Sequence, residues 1–303
     1  MSPRVLLNTG VAALAFALGC SEDEKPIPPN ESQVFRIPTE ITFEDAVAQA
    51  GPGDTLLFLF SPLPLAETVT IGSSQTPLVL IGNKNYPTLV APTDSSAIRF
   101  QSPKAGTRIE DLGFSGGSVT LDVTGPGAIE IRGCRFHGGQ VQIRGTGENL
   151  AVTVTKSLFR GPGLYGLRIG SGADLRASMV TVADAGDCGI LVTEGAQAHI
   201  QSSLVWRSAN FGIACVAGGV YAADAGCNDV FLSGSAPYLD CVEPESDFHA
   251  DPLFCDARNG DFTVQSISPC APANSGGCGQ VGALLPGCEP PPPPPETGSP
   301  ARP

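Results

Sequence analysis

From Leu56 to Val230 the chain alternates apolar and polar residues in short stretches of four to six, separated by Gly, Pro, Asn or Asp. A period of two belongs to strands, whose successive side chains point to opposite faces, and the abundance of Val, Ile, Leu and Thr agrees with that. Written in register, the segments RIEDLGF (108–114), EIRGCRF (130–136), TVTKSLF (153–159), DLRASMV (174–180) and HIQSSLV (199–205) repeat one pattern. Each places an apolar residue at Ile109, Ile131, Val154, Leu175 and Ile200, and another five residues later at Phe114, Phe136, Phe159, Val180 and Val205. Between them runs a row of smaller residues, Leu112, Cys134, Ser157, Ser178 and Ser203, which Cys227 extends, in steps of 22, 23, 21, 25 and 24. A second row, Phe100, Leu121, Ile143, Ile169, Val192 and Cys215, keeps nearly the same period. Runs this short cannot form the paired helices of a helical solenoid. They predict coils of two or three short parallel strands, stacked about 4.8 Å apart so that like residues lie on like.

Over roughly residues 55–235 this pattern resembles the right-handed parallel β-helix repeats of the pectate-lyase-like superfamily. The expected fold is therefore all-β, a single-stranded right-handed parallel β-helix with a short N-terminal capping helix and a disulfide-rich C-terminal cap. Thr42-Phe43-Glu44-Asp45 reads as a helix start, with Phe43, Ala46, Val47 and Ala50 at helical spacing and Gly51 as the stop. That helix would cover a first coil led by Leu56 to Phe60, an entry that looks like one common in exported bacterial β-helix proteins. After Gly234 the repeat dissolves, and Asp251-Pro252-Leu253-Phe254, Gly260-Asp261-Phe262, Ser268-Pro269-Cys270 and Val281-Gly282-Ala283 are similar to the closing segment of many such proteins.

The beginning of the chain has a different character. Arg4 precedes an apolar stretch from Val5 to Leu18, the layout of an export signal and too short for a membrane span. Ala17-Leu18-Gly19-Cys20 resembles a bacterial lipoprotein box, which implies lipidation of Cys20; ordinary cleavage with Cys20 unmodified is the alternative. Expected boundaries are a signal peptide at 1–19, an acidic, Pro-rich tether at 20–35, the β-helix with its N-terminal cap at 36–235, a Cys-rich cap at 236–288 and a polyproline tail at 289–303. A lipid-anchored protein of the bacterial envelope, at the outer membrane or cell surface, is the expected address.

Ten cysteines, less Cys20, leave nine, so at least one does not pair within the chain. Six of them, Cys227, Cys241, Cys255, Cys270, Cys278 and Cys288, crowd the end of the sequence, as expected for stapling a loop-rich cap in an oxidising compartment. No C-x-x-C pair points to zinc. Cys134 lies in an inward row, too far along the solenoid from Cys227 to bond, and reads as a buried thiol. A net charge of -13 is the wrong sign for gripping phosphate backbones and excludes nucleic acid as the expected partner.

Chemistry on a β-helix comes from outward side chains stacked on neighbouring coils. The pattern predicts three such rows: Glu110, Arg132, Thr155, Arg176 and Gln201; Ser115, His137, Arg160, Thr181 and Trp206; and Thr120, Gln142, Arg168, Leu191 and Ala214. Glycoside hydrolysis needs two carboxyl groups about 5–9.5 Å apart, and no row holds two. Asp184 and Asp187, in one loop, are the only catalytic candidates, and turn chemistry explains both. The Gly-His-Gly and Arg-x-Lys of polygalacturonase-like enzymes and the Asp-Pro-His-Asp of mannuronan epimerases are missing. No cofactor or metal is expected; a calcium site among Asp251, Asp256 and Asp261 competes with their reading as turn residues. His199, beside Ile200, reads as a surface residue. Trp206, with Arg160 and His137 on its edge, offers a platform for a sugar ring or a partner side chain. The expected function is non-catalytic binding of a polysaccharide or surface protein, or a structural role in the envelope; a polysaccharide-active enzyme with a divergent site is the alternative.

Overall fold

The computed structural model describes residues 32–222 and 224–291. The signal peptide, Cys20, most of the tether and the tail from residue 292 lie outside the described residues. The rest winds into a right-handed parallel β-solenoid of about 9 turns. Each coil visits three parallel sheets in turn, as Gly127–Arg132, Arg135–His137 and Val141–Thr146 do. Sheet 1 has nine strands, from Val34–Ile37 to Val220–Tyr221. Sheet 2 has eight, from Leu63–Pro64 to Asp229–Phe231, and sheet 3 eight, from Val69–Ile71 to Ala236–Leu239. The first strand thus begins inside the expected tether, and the last one lies inside the expected cap.

The corners explain the period. Between sheets 1 and 2 one residue per coil takes a left-handed backbone conformation: Asp111, Gly133, Lys156, Met179, Ser202 and Cys227, with φ from 49° to 63°. Between sheets 2 and 3 Gly116, Gly138, Gly161, Asp184, Arg207 and Leu232 do the same. Such a residue turns the chain sharply while its own N–H still reaches the next coil, as Gly133 N does to Thr155 O at 3.0 Å and Lys156 N to Ser178 O at 3.2 Å. Inward side chains satisfy the amides beside the first corner. Ser157 Oγ accepts from Cys134 N at 3.1 Å, Ser203 Oγ from Val180 N at 3.2 Å, and Asn228 Oδ1 from Ser203 N at 2.9 Å.

The core is a set of ladders. Phe114, Phe136 and Phe159 stack at 4.9 and 4.7 Å, and Val182, Val205 and Val230 continue the column. On sheets 1 and 2 this corrects the sequence register in one coil: Ala177 and Val182, not Leu175 and Val180, stand under Val154 and Phe159. A slip of two keeps every side chain on its face, so Leu175 and Val180 remain fully buried and alternation cannot detect the error. The small-residue row is likewise Leu112, Cys134, Ser157, Val180, Ser203 and Asn228, without Ser178 or Cys227. The second row slips twice: Phe100 stacks on Val123 and not Leu121, and Ile143, Ile169 and Val192 all point inward, yet Ile143 stacks on Leu167, and Gly145 takes the place under Ile169. There a Cβ would press within 3.0 Å of Ile169 Cδ1 and Val152 Cγ2.

The N-terminal end is closed as expected. Thr42 caps the helix Phe43–Gln49 by accepting from Asp45 N, and the helix buries Phe43, Ala46 and Val47. Three disulfides, Cys215–Cys241, Cys227–Cys278 and Cys255–Cys288, hold the other end, and Cys134, Cys188 and Cys270 are buried thiols. Burial pushes the Cys134 and Cys188 thiols up to about 12, which leaves them unreactive.

Two substitutions test this architecture. Ile169→Asp places an unpaired charge in the dry core and is expected to cost about 4 kcal/mol or more, read as a lowered denaturation midpoint; an unchanged melting curve would mean that Ile169 does not face the core. Gly161, at φ 57°, has no atom within 4 Å of where a Cβ would lie. Gly161→Ala therefore isolates the backbone cost of the corner, about 1 kcal/mol, and a variant as stable as the parent would count against the left-handed corner.

Candidate functional site

The three outer faces differ in what they leave open. On sheet 2 the outward row is Ser115, His137, Arg160, Ala183, Trp206 and Phe231. Thr181, assigned to it from sequence, is instead buried two residues earlier, where its Oγ1 accepts from Ala283 N at 2.9 Å. That contact reveals the path of the cap. After residue 250 the chain runs back along the flank of sheet 2: the hairpin strands Phe254–Asp256 and Asp261–Val264 lie over it, and Gly282 N donates to Ser202 O at 2.8 Å.

Trp206 and Arg160 lie beneath this segment. The indole meets Phe254 at 5.2 Å and Phe262 at 6.3 Å, both edge-on, and Arg207 stacks over the same ring at 4.5 Å. The Arg160 guanidinium stands 5.7 Å from the Phe262 ring and closes on Gly260, where any side chain would strike it. Both residues are thus cap contacts in this structure and not an open platform. His137, one coil before Arg160, is exposed. Apolar anchors spaced along the C-terminal segment were visible in the sequence, but nothing in their pattern tells which sheet they cover.

Asp184 and Asp187 both sit at the corner leading to sheet 3. Asp184 holds the left-handed position and its carboxylate accepts from Arg207. Asp187 Oδ1 accepts from Asn210 Nδ2 at 2.8 Å, one coil on. Among the cap aspartates, Asp251, Asp256 and Asp261 each accept from a backbone N–H within three residues, as turn residues do. Among the described residues no three His, Cys, Asp or Glu side chains gather as a metal site.

On sheet 3 the outward row is Arg99, Asp122, Arg144, Arg168, Leu191 and Ala214. Thr120 and Gln142 do not belong to it; both are fully buried. Asp122, absent from the sequence reading, is 1% exposed and accepts from Arg99 Nε at 3.0 Å and from Arg144 Nε and a terminal nitrogen at 2.9 and 2.8 Å. Hydrogen bonding to that carboxylate raises the Arg144 pKa above its ordinary value. Asp122 serves the sheet and is used up by it.

Sheet 1 is open and polar. Its rows are Arg108, Glu130, Thr153, Arg176 and His199, and beside them Glu110, Arg132, Thr155, Ser178 and Gln201. Arg176, placed with Gln201 from sequence, stands next to His199. Near the end of this face Thr153, Arg176, Ser178, His199, Gln201 and Asp224 line a groove of about 240 Å³. His199 Nδ1 lies 2.9 Å from Asp224 Oδ1, a partner the next coil supplies. The other ring nitrogen has no hydrogen-bond partner among the described residues. The groove combines a guanidinium, an amide, two hydroxyls, an imidazole and a carboxylate, all but Asp224 carried on strands. It can donate to and accept from a hydroxyl-rich ligand without moving its scaffold.

A family model described as right handed beta helix region matches residues 93–227. No curated protein matches the chain. Three parallel sheets, stacked inward ladders and that match over part of the chain give one conclusion: the described residues fold as a right-handed parallel β-helix, similar over residues 93–227 to the right handed beta helix region.

Proposed function

We propose that this chain is a lipid-anchored protein of the bacterial envelope that binds a glycan through the groove on sheet 1 and does not cleave it. The observation that carries this reading is the groove itself: its polar side chains converge from four successive coils, all but Asp224 on strands, so they are preorganised and lose little freedom on binding. The resemblance of the repeats to those of the pectate-lyase-like superfamily supports a glycan as the ligand, although fold alone assigns none. The lipoprotein-like Ala17-Leu18-Gly19-Cys20 supports the anchor, and multiple acyl chains would hold it stably. Asp184 and Asp187 are engaged by Arg207 and Asn210, which favours binding over hydrolysis at that corner. A protein partner on the same face is the competing ligand class. One observation favours the enzyme reading: His199, oriented by Asp224 and with its other nitrogen unpartnered, is arranged as a general base would be.

Purified protein is expected to show no turnover of pectin, alginate or similar polymers with or without calcium. Binding on a glycan array is expected to weaken about tenfold in Arg176→Ala and in Gln201→Ala, the loss of one or two good hydrogen bonds. Turnover that disappears in His199→Ala or Asp187→Asn would establish the enzyme instead. Mass spectrometry of the native protein is expected to find an acylated Cys20 as the N-terminus; an unmodified N-terminus downstream of it would refute the anchor.

A further inference from the structure

The cap rests on sheet 2 through a joint that contains a carboxylate in an unusual setting. Asp229, in the last strand of sheet 2, is 0% exposed. Its carboxylate accepts from two donors, Ala250 N at 3.1 Å and the Cys270 thiol at 3.1 Å, and both donors belong to the cap. A thiol is a weak donor, and two hydrogen bonds replace poorly the water an ionised carboxylate loses on burial. The charged groups nearby do not make up the difference. His249 is already engaged, Nδ1 with Val230 O at 2.8 Å and Nε2 with Glu243 at 2.8 Å, while Asp251 opposes a negative charge. Cys270 is wholly buried against Leu204, Val264, Ala271 and Val281, so the joint lies inside the apolar cluster that seats the cap.

We propose that Asp229 and Cys270 form a pH-responsive latch that seats the cap over sheet 2 and, on ionising, lets it lift to uncover Trp206 and Arg160. Burial, the largest influence, raises the Asp229 carboxyl from 3.8 to about 7, with the Cys270 and Ala250 hydrogen bonds acting in the opposite sense. The seated form therefore binds a proton that the lifted form, with an ordinary carboxyl, releases. Seating is complete below about 4, weakens as pH rises towards 7 and changes no further above it. Cys227–Cys278 still ties the cap to the corner of the solenoid, so lifting is local and reversible.

The protein contains one tryptophan, so Trp206 reports on its own cover. Acrylamide quenching of its fluorescence is expected to rise several-fold between pH 5 and 7.5, level off above, and be low and flat in Asp229→Asn. In parallel, alkylation of Cys270 relative to Cys134 in the same molecule is expected to follow the same curve. Both thiols regain ordinary chemistry once exposed, so the ratio cancels their own ionisation. A pH dependence of quenching that persists in Asp229→Asn would overturn the latch. So would Cys270 reacting no faster than Cys134 at every pH, because only global unfolding would then expose it. Hydrogen exchange over residues 262–281 of the parent, corrected for its intrinsic pH dependence, decides the matter should Asp229→Asn fail to fold; protection that does not fall as pH rises from 5 to 7.5 overturns the proposal.

Discussion

Every coil of this protein depends on the one beside it through hydrogen bonds that run along the solenoid axis and continue around the corners. A strand of two to six residues has no stability alone. It is held because both neighbours present amides and carbonyls at the same positions, and because the left-handed corner residue lets that registry pass from sheet 1 to sheet 2 without a gap. Once registry is kept, the interior follows: a buried phenylalanine must lie on a phenylalanine or on something that fills the same column. Each such side chain contributes about 1.5–3 kcal/mol, against a conformational cost of about 1–2 kcal/mol for every residue whose backbone is fixed. The two ends, where neighbours run out, are where the molecule spends its helix and its disulfides.

How far the sequence discloses this follows from what each feature needs. Alternation needs only neighbours in sequence, and the inward faces of Ile109, Ile131, Val154 and Val205 are legible from it. The exact partner across a coil needs the corner, and the corner accepts Asp, Gly, Lys, Met, Ser or Cys alike. No residue type marks it, which is why the coil of Asp174–Ser178 was displaced by two. Asp122 was missed for a related reason: its partners Arg99 and Arg144 are more than twenty residues away on either side and become adjacent only when three coils stack. Cysteine crowding announced a stapled cap, but not that the cap returns along a flank. The groove residues Arg176 and Gln201 stood in the predicted rows; Asp224, which orients His199, comes from a loop that no periodicity describes.

The returning cap changes which surfaces can act. A solenoid offers a partner three long faces, and here one of them is occupied by the chain's own apolar residues, Phe254 and Phe262 above all. The exposed polar groups of sheet 1 are left as the rigid face, while the most adhesive residues of the molecule, an indole flanked by guanidinium groups, are kept under cover. Outward residues on sheet 1 can therefore vary without disturbing the core beneath them.

The last strand of sheet 3, Ala236-Pro237-Tyr238-Leu239, has a neighbour on one side only. Ala236 N bonds inward to Asn210 O, so the next nitrogen along faces away from the solenoid, and that nitrogen belongs to Pro237. A β-helix is in principle endless: any coil can template another, and the open end of one molecule could accept the beginning of a second. Proline removes the donor at the centre of the terminal edge, and with it the hydrogen bond by which a second molecule would dock end to end. That single ring favours a solenoid of fixed length over a growing fibre.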